Sequence, residues 1–248
     1  MRLFLHQLKG EQRIFWRSRE AAIFVFLFPI LLFLLLGAVY NGTINGHPAP
    51  DVLLAGMLGY GCATTAFAGL AIILVIRRES GVLKRVRATP LPPVTYLTAV
   101  LASTLIVFAL QVVCLVAIGR VFYDAQMPAN VGSLVLALAL GAASFAALGV
   151  AIAGLIRSSE GSSAVVNTIV LPMAFISGSF GPTRHYPGFL RAIASVLPLK
   201  YVIELVNAIY LSHREIWSRP GAIGAVAAWG AAGLLIALRA FRWEPKER

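Results

Sequence analysis

The chain has 248 residues, 59% hydrophobic and only 12% charged, with a mean hydropathy of +0.83 and a formal net charge of +11. A soluble domain carries roughly twice that charged fraction, so a water-soluble globular fold is excluded. The basic residues flank apolar runs and do not form one basic face. They therefore read as anchors and topology determinants at an anionic membrane surface, and a nucleic-acid partner is excluded. Within hydrocarbon only helices and closed barrels satisfy every backbone group. The continuous Leu-, Ala-, Val- and Ile-rich runs lack the alternation of barrel strands. The fold class is all-α integral membrane.

Residues 1–20 place Phe4, Leu8 and Phe15 at near-helical spacing, interleaved with Arg2, Lys9, Arg13, Arg17 and Arg19. That pattern predicts an amphipathic helix lying in the membrane interface. The apolar run that follows is about 20 residues, too long for a cleaved signal sequence, and is read as a retained first span, 21–40, with Pro29 inside it. A short polar loop, 41–50, contains the glycosylation-type tripeptide Asn41-Gly42-Thr43. The second span is 51–76.

Residues 77–93 are polar and basic and end in Pro90-Leu91-Pro92-Pro93. Val82, Leu83 and Val86 share one face of a short helix, with Lys84, Arg85 and Arg87 turned towards water or a partner. The prolines stop that helix before the third span. A plain basic juxtamembrane anchor is the alternative reading. The third and fourth spans are 94–119 and 131–156. After the polar turn Arg157-Ser158-Ser159-Glu160, a fifth, shorter apolar segment covers 164–179, interrupted by Pro172 and Gly178. Residues 180–220 alternate apolar pieces with prolines and charges, the pattern of re-entrant or interfacial helices. The sixth span, 221–238, leads into a basic tail, 239–248.

With the N-terminus inside, 15 of the 21 Lys and Arg fall on inner segments and 6 on outer ones, so both ends are expected to be cytoplasmic. Five of those six outer cations lie in 180–220, which marks that stretch as more than an exposed loop. Small residues recur every four positions at Gly61, Thr65 and Gly69, and at Ala139, Ala143, Ala147 and Ala151. Such stripes let helices approach closely, within one bundle or across a dimer seam.

No G-x-x-x-x-G-K-[ST], H-E-x-x-H or G-x-S-x-G motif occurs. No catalytic, cofactor-binding or metal-binding residue is expected, and Cys62 and Cys114 read as packed side chains. Gly59-Tyr60-Gly61 has the letters of a potassium filter but sits inside a continuous span. Apart from Asp51 at a boundary, the first four spans carry no Asp, Glu, Lys or Arg between their edges. Ion-coupled carriers keep such groups at membrane depth, so energy for transport must come from elsewhere.

Two patterns are more specific. One is E-x-G-x-L-x-x-x-x-x-x-P at Glu79, Gly81, Leu83 and Pro90. The other is S-G-x-x-x-P…P…P-L-x-Y at Ser177, Gly178, Pro182, Pro187, Pro198, Leu199 and Tyr201. On these the chain resembles the ABC-2 type transmembrane subunits of bacterial ATP-binding-cassette exporters, the daunorubicin-resistance permease group in particular. The resemblance implies a half-transporter of the inner membrane with a transmembrane domain over 21–245. Such a subunit pairs with a second permease subunit and docks a separate ATPase that carries the ATP and Mg. It implies a coupling helix in 77–93, with Glu79, Lys84, Arg85 and Arg87 touching the ATPase and Val82 and Leu83 packing into its cleft. Residues 1–20 become a connecting helix, and 180–212 form re-entrant helices at the outer end. The implied activity is outward movement of a hydrophobic drug or lipid-like substrate, hence drug efflux and antibiotic resistance.

Two alternatives remain open. An exporter of glycan or lipid-linked polymer would need aromatic rings along its path, and the mid-span aromatics are few (Phe67, Phe108, Phe145). A membrane enzyme or assembly factor would need a reactive cluster, for which 180–220 offers Arg184, His185, Glu204 and His213.

Overall fold

A computed structural model of the chain describes residues 2–40, 42–184 and 186–241. Asn41, His185 and most of the basic tail lie outside the described residues. The order is α1 (Arg2–Arg17), α2 (Arg19–Val39), a hairpin of β1 (Thr43–Ile44) and β2 (His47–Pro48), then α3 (Ala49–Gly61). α3 continues through a π-helical segment, Cys62–Gly69, into α4 (Leu70–Glu79). There follow α5 (Val82–Arg87), α6 (Pro93–Tyr123), α7 (Val131–Leu155), α8 (Ser162–Ser177), α9 (Gly188–Ala194), α10 (Pro198–Tyr210) and α11 (Pro220–Ala240).

Five stretches are long and apolar enough to cross a membrane: 22–39, 49–79, 93–123, 131–155 and 220–240. The crossing expected at 164–179 is α8, only 16 residues. At about 1.5 Å per residue it spans about 24 Å, short of a hydrocarbon core of about 30 Å. α9 and α10 meet at 85°, the shape of a broken span or a re-entrant loop. Six spans read from the sequence thus become five long helices, one short helix and one bent pair. α8 stops early because Gly178, at φ +87°, closes it. Gly178 N–H donates to Phe175 O (3.2 Å) and Ser179 N–H to Ala174 O (3.0 Å). This paired closure needs a left-handed residue and ends the helix whatever the hydropathy beyond.

The helix 49–79 is the hub. Its most apolar window is 72% buried against 17% for α2 and 22% for α11, so this helix is enclosed by the rest of the chain and α2 and α11 lie at its periphery. α2 is tied in through its own proline. Pro29 has no N–H for the carbonyl four residues back, and the amide of Gln111 on α6 donates to that Val25 O at 2.9 Å. Gln111 also accepts from Thr65 Oγ1 in the π segment at 2.9 Å, so one buried amide joins three helices. The glycine and alanine stripes serve this bundle in part, with Gly61, Thr65 and Ala151 buried and Gly69 exposed. A side chain at Gly61 would meet Phe108, and one at Gly149 would come within 2.8 Å of Phe67 O. On α7, Ala151 is buried and Ala147 half-buried, while Ala139 and Ala143 face outward.

At the end of the hub opposite Arg77 and Arg78, the loop expected at 41–50 holds a two-residue hairpin. Asn45 and Gly46, at φ +56° and +84°, supply its turn. Asp51 accepts from the Gln126 N–H at 2.9 Å and pins the 124–130 loop to α3.

Candidate functional site

α4 ends in Arg77-Arg78-Glu79, and each side chain has a partner inside the chain. Arg77 donates to Glu11 of α1 at 2.6 Å and to the Tyr96 hydroxyl of α6 at 2.8 Å. Arg77 and Glu11 are 8% and 5% exposed, so this is a buried pair. Arg78, 1% exposed, donates to Ala153 O (2.7 Å) and Ile156 O (2.6 Å). Those carbonyls end α7, where no helical donor remains, and a cation there also suits the helix dipole. Glu79 accepts from the N–H and hydroxyl of Ser159, at 2.9 and 3.1 Å, and fixes the turn before α8. One dipeptide and its neighbour therefore lock α1, α6, α7 and the 157–160 turn to the end of the hub.

Immediately beyond, Gly81 at φ +72° turns the chain, and its carbonyl accepts from Arg85 N–H to begin α5. Only a residue without Cβ takes that conformation freely. α5 is anchored inward by Leu83, fully buried in the hydrophobic core, with Val82 half-buried. Lys84, Arg85 and Arg87 are exposed, as are Thr89 and Pro90. Two residues expected to meet a partner also have contacts within this chain: Leu83 is buried in its core, and Glu79, partly exposed, accepts from the N–H and hydroxyl of Ser159. The exposed surface of this segment carries Lys84, Arg85 and Arg87 beside Ala88, Thr89 and Pro90.

Glu11 was the silent member of the set. It lies seven residues after Phe4 and four before Phe15, so it interrupts the half-buried stripe of α1. A carboxylate on an apolar stripe calls for a buried cation, and that was the available signal. Gln12, beside it, donates to Ser103 O and Oγ at 3.1 and 3.0 Å and seats α1 along α6.

Between α4, α6, α7 and α11 lies a groove of about 670 Å³, lined by Leu74, Leu101, Leu140, Ala147, Leu234 and other apolar residues. Its one hydroxyl, Ser144, is already spent on Val226 O at 2.9 Å. A volume in this range suits a drug-sized apolar ligand.

The second signature builds a corner at the opposite end of the bundle. Ser177 is buried and Gly178 closes α8; Pro187 and Pro198 stand at the starts of α9 and α10. Pro182 lies half-buried in the loop between α8 and α9. Leu199 is fully buried, and the Tyr201 hydroxyl donates to Ser195 O at 2.5 Å across the bend. Trp229 of α11 donates to Val196 O at 3.0 Å and braces the same bend. Of the scattered polar residues, Glu204 pairs with Arg219 at 3.2 Å.

A set of crossing-length helices around a buried hub, latched by charges at one end, defines a multi-pass membrane protein. It belongs to the ABC-2 type transporter family, whose pattern matches residues 2–211. It is similar to a Bacillus subtilis (strain 168) protein described as "Putative transport permease YvfS", 24% identical over 200 residues, covering 80% of this chain and 81% of that one. The chain is therefore a component of a membrane transporter. Permeases of this family work with an ATP-binding-cassette ATPase in a membrane complex.

Proposed function

We propose that this chain is the membrane-spanning half of an ATP-binding-cassette exporter of the drug-efflux type. It sits in the bacterial inner membrane with both termini cytoplasmic and pairs with a second permease subunit. ATP and Mg belong to a separate ATPase subunit. That subunit presses on α5, and a hydrophobic drug or lipid-like substrate passes outward between the paired bundles.

The observation that carries this reading is the corner at α4–α5. A short helix with three exposed cations is mounted on the hub, and the Arg77 and Arg78 latches join its base to α1, α6 and α7. A displacement of α5 is then transmitted to several helices without an intervening flexible loop. The apolar groove is in keeping with a lipophilic substrate. The polymer alternative is weakened because Phe67, Phe108 and Phe145 are 6%, 3% and 1% exposed, so none lines an open path in this chain.

The test is charge reversal. Lys84→Glu with Arg85→Glu should abolish co-purification with the ATPase or uncouple ATP hydrolysis from export, while the permease still folds and inserts. Unchanged assembly and export would overturn the assignment of α5.

A further inference from the structure

The outer end holds a cavity of about 440 Å³ bounded by the hairpin, the end of α8 and α10. Its wall differs in kind from the apolar groove: Ser177, Arg184, Lys200, Glu204, Asn207 and Arg219 line it. Arg219 is shared with Glu204 at 3.2 Å. Among the described residues, Arg184 and Lys200 have no carboxylate partner. Three cations thus face one carboxylate, and they are three of the six Lys and Arg assigned to the outer segments. Two polar groups of the wall are also unspent. Ser177 is 6% exposed and its hydroxyl has no hydrogen-bond partner, nor does the buried side-chain oxygen of Asn207. Buried polar atoms without partners are rare in folded proteins and ask for a ligand or water.

We propose that this cavity binds a phosphate-bearing group at the outer face, with Lys200 and Arg184 as its anchoring cations. An anion suits the net charge of the wall, whose cations stand at its open rim. Phosphate is favoured over carboxylate because its oxygens are arranged tetrahedrally, a monoester spreading up to two charges over three acceptors and a diester one charge over two, which suits cations and hydroxyl donors converging from different elements. Asn207 contributes its NH₂ when the amide is turned, since O and N of that group are interchangeable in placement. The volume exceeds that of a phosphate alone, and the polar wall suits a headgroup but not an acyl chain. The cavity also lies at one end of the bundle, beside the hairpin before α3 and the end of α8. The group comes either from a phospholipid or from a soluble phosphate ester. Nothing in this site depends on the ATPase-coupling reading of α5.

The test uses the full chain purified in a neutral detergent, with binding followed by calorimetry. Glycerol 3-phosphate is one probe. Short-chain phosphatidylglycerol is the other, with short-chain phosphatidylcholine as its comparison. Saturable binding of the ester identifies a soluble source; binding of phosphatidylglycerol in preference to phosphatidylcholine identifies a lipid. In either case Lys200→Gln with Arg184→Gln should weaken binding at least tenfold. Arg191→Gln, an exposed cation on α9 outside the cavity, should leave it unchanged. If the double variant loses its thermal transition, Ser177→Ala keeps every charge and should weaken binding several-fold. Failure of both probes to saturate, or equal binding by a folded double variant, overturns the proposal.

Discussion

At the scale of single residues, the bundle depends on a few polar side chains that complete backbone groups. Gln111 is one. Gln111→Leu leaves Val25 O and Thr65 Oγ1 without partners and should cost about 1–3 kcal/mol per stranded group. The cause is testable, because Pro29→Ala returns an N–H to Val25 O. Gln111→Leu should therefore destabilise the Pro29→Ala protein less than the parent, as read from melting temperatures in detergent; equal losses would break the link. Arg78→Met should be more severe, since two carbonyls at the end of α7 lose their only side-chain donor. Glu11→Ala strands Arg77 in a buried site, where breaking one side of a pair costs about 3–5 kcal/mol. Adding Arg77→Met should restore part of that loss, and full additivity would show that the pair is not coupled. None of these roles shows in a hydropathy profile. The clues were local: a proline four residues after Val25, a lone amide in an apolar run, and a carboxylate on an apolar stripe.

Among the elements, the long helices were legible because run length and apolarity are properties of consecutive residues. The observed bounds 93–123 and 131–155 differ from the sequence reading by at most a turn. What escaped was decided by backbone conformation. The apolar run 164–179 outlasts the helix it encodes, since Gly178 closes α8 within it. The Asn45-Gly46 hairpin was hidden in a polar loop. The second span was read as stopping at 76, before the arginines, yet the helix carries them to Glu79 because each finds a buried partner. Gly178→Ala tests the first point. A residue with Cβ at φ +87° is strained by about 1–2 kcal/mol, and the added atom would stand 2.8 Å from Thr183 Cγ2. Stability should fall by that order, with the end of α8 fraying first in hydrogen exchange. A variant as protected as the parent would deny Gly178 its role.

For the whole molecule, orientation is the property on which the functional reading turns. With both termini inside, a cysteine placed at Lys84 should react with a membrane-impermeant thiol reagent only after cells are opened, and one at Ser212 in intact cells. The reverse pattern would invert the topology. The length of the hub adds a constraint of its own. Thirty-one residues, 49–79, would extend about 46 Å at the α-helical 1.5 Å each, and the π segment, which rises less per residue, shortens this by a few Å. Tilted by 20° the rod rises up to about 44 Å, and at 40° up to about 36 Å, against a hydrocarbon slab of about 30 Å. No ordinary tilt hides it, so some of the rod, up to about 14 Å, overhangs the slab. If most of that overhang lies on the arginine side, the Arg77–Glu11 and Arg78 latches sit in the headgroup layer, where a charge is far cheaper to keep than at mid-membrane. α5 would then stand clear of the lipid surface, like a fitting on the end of a protruding shaft.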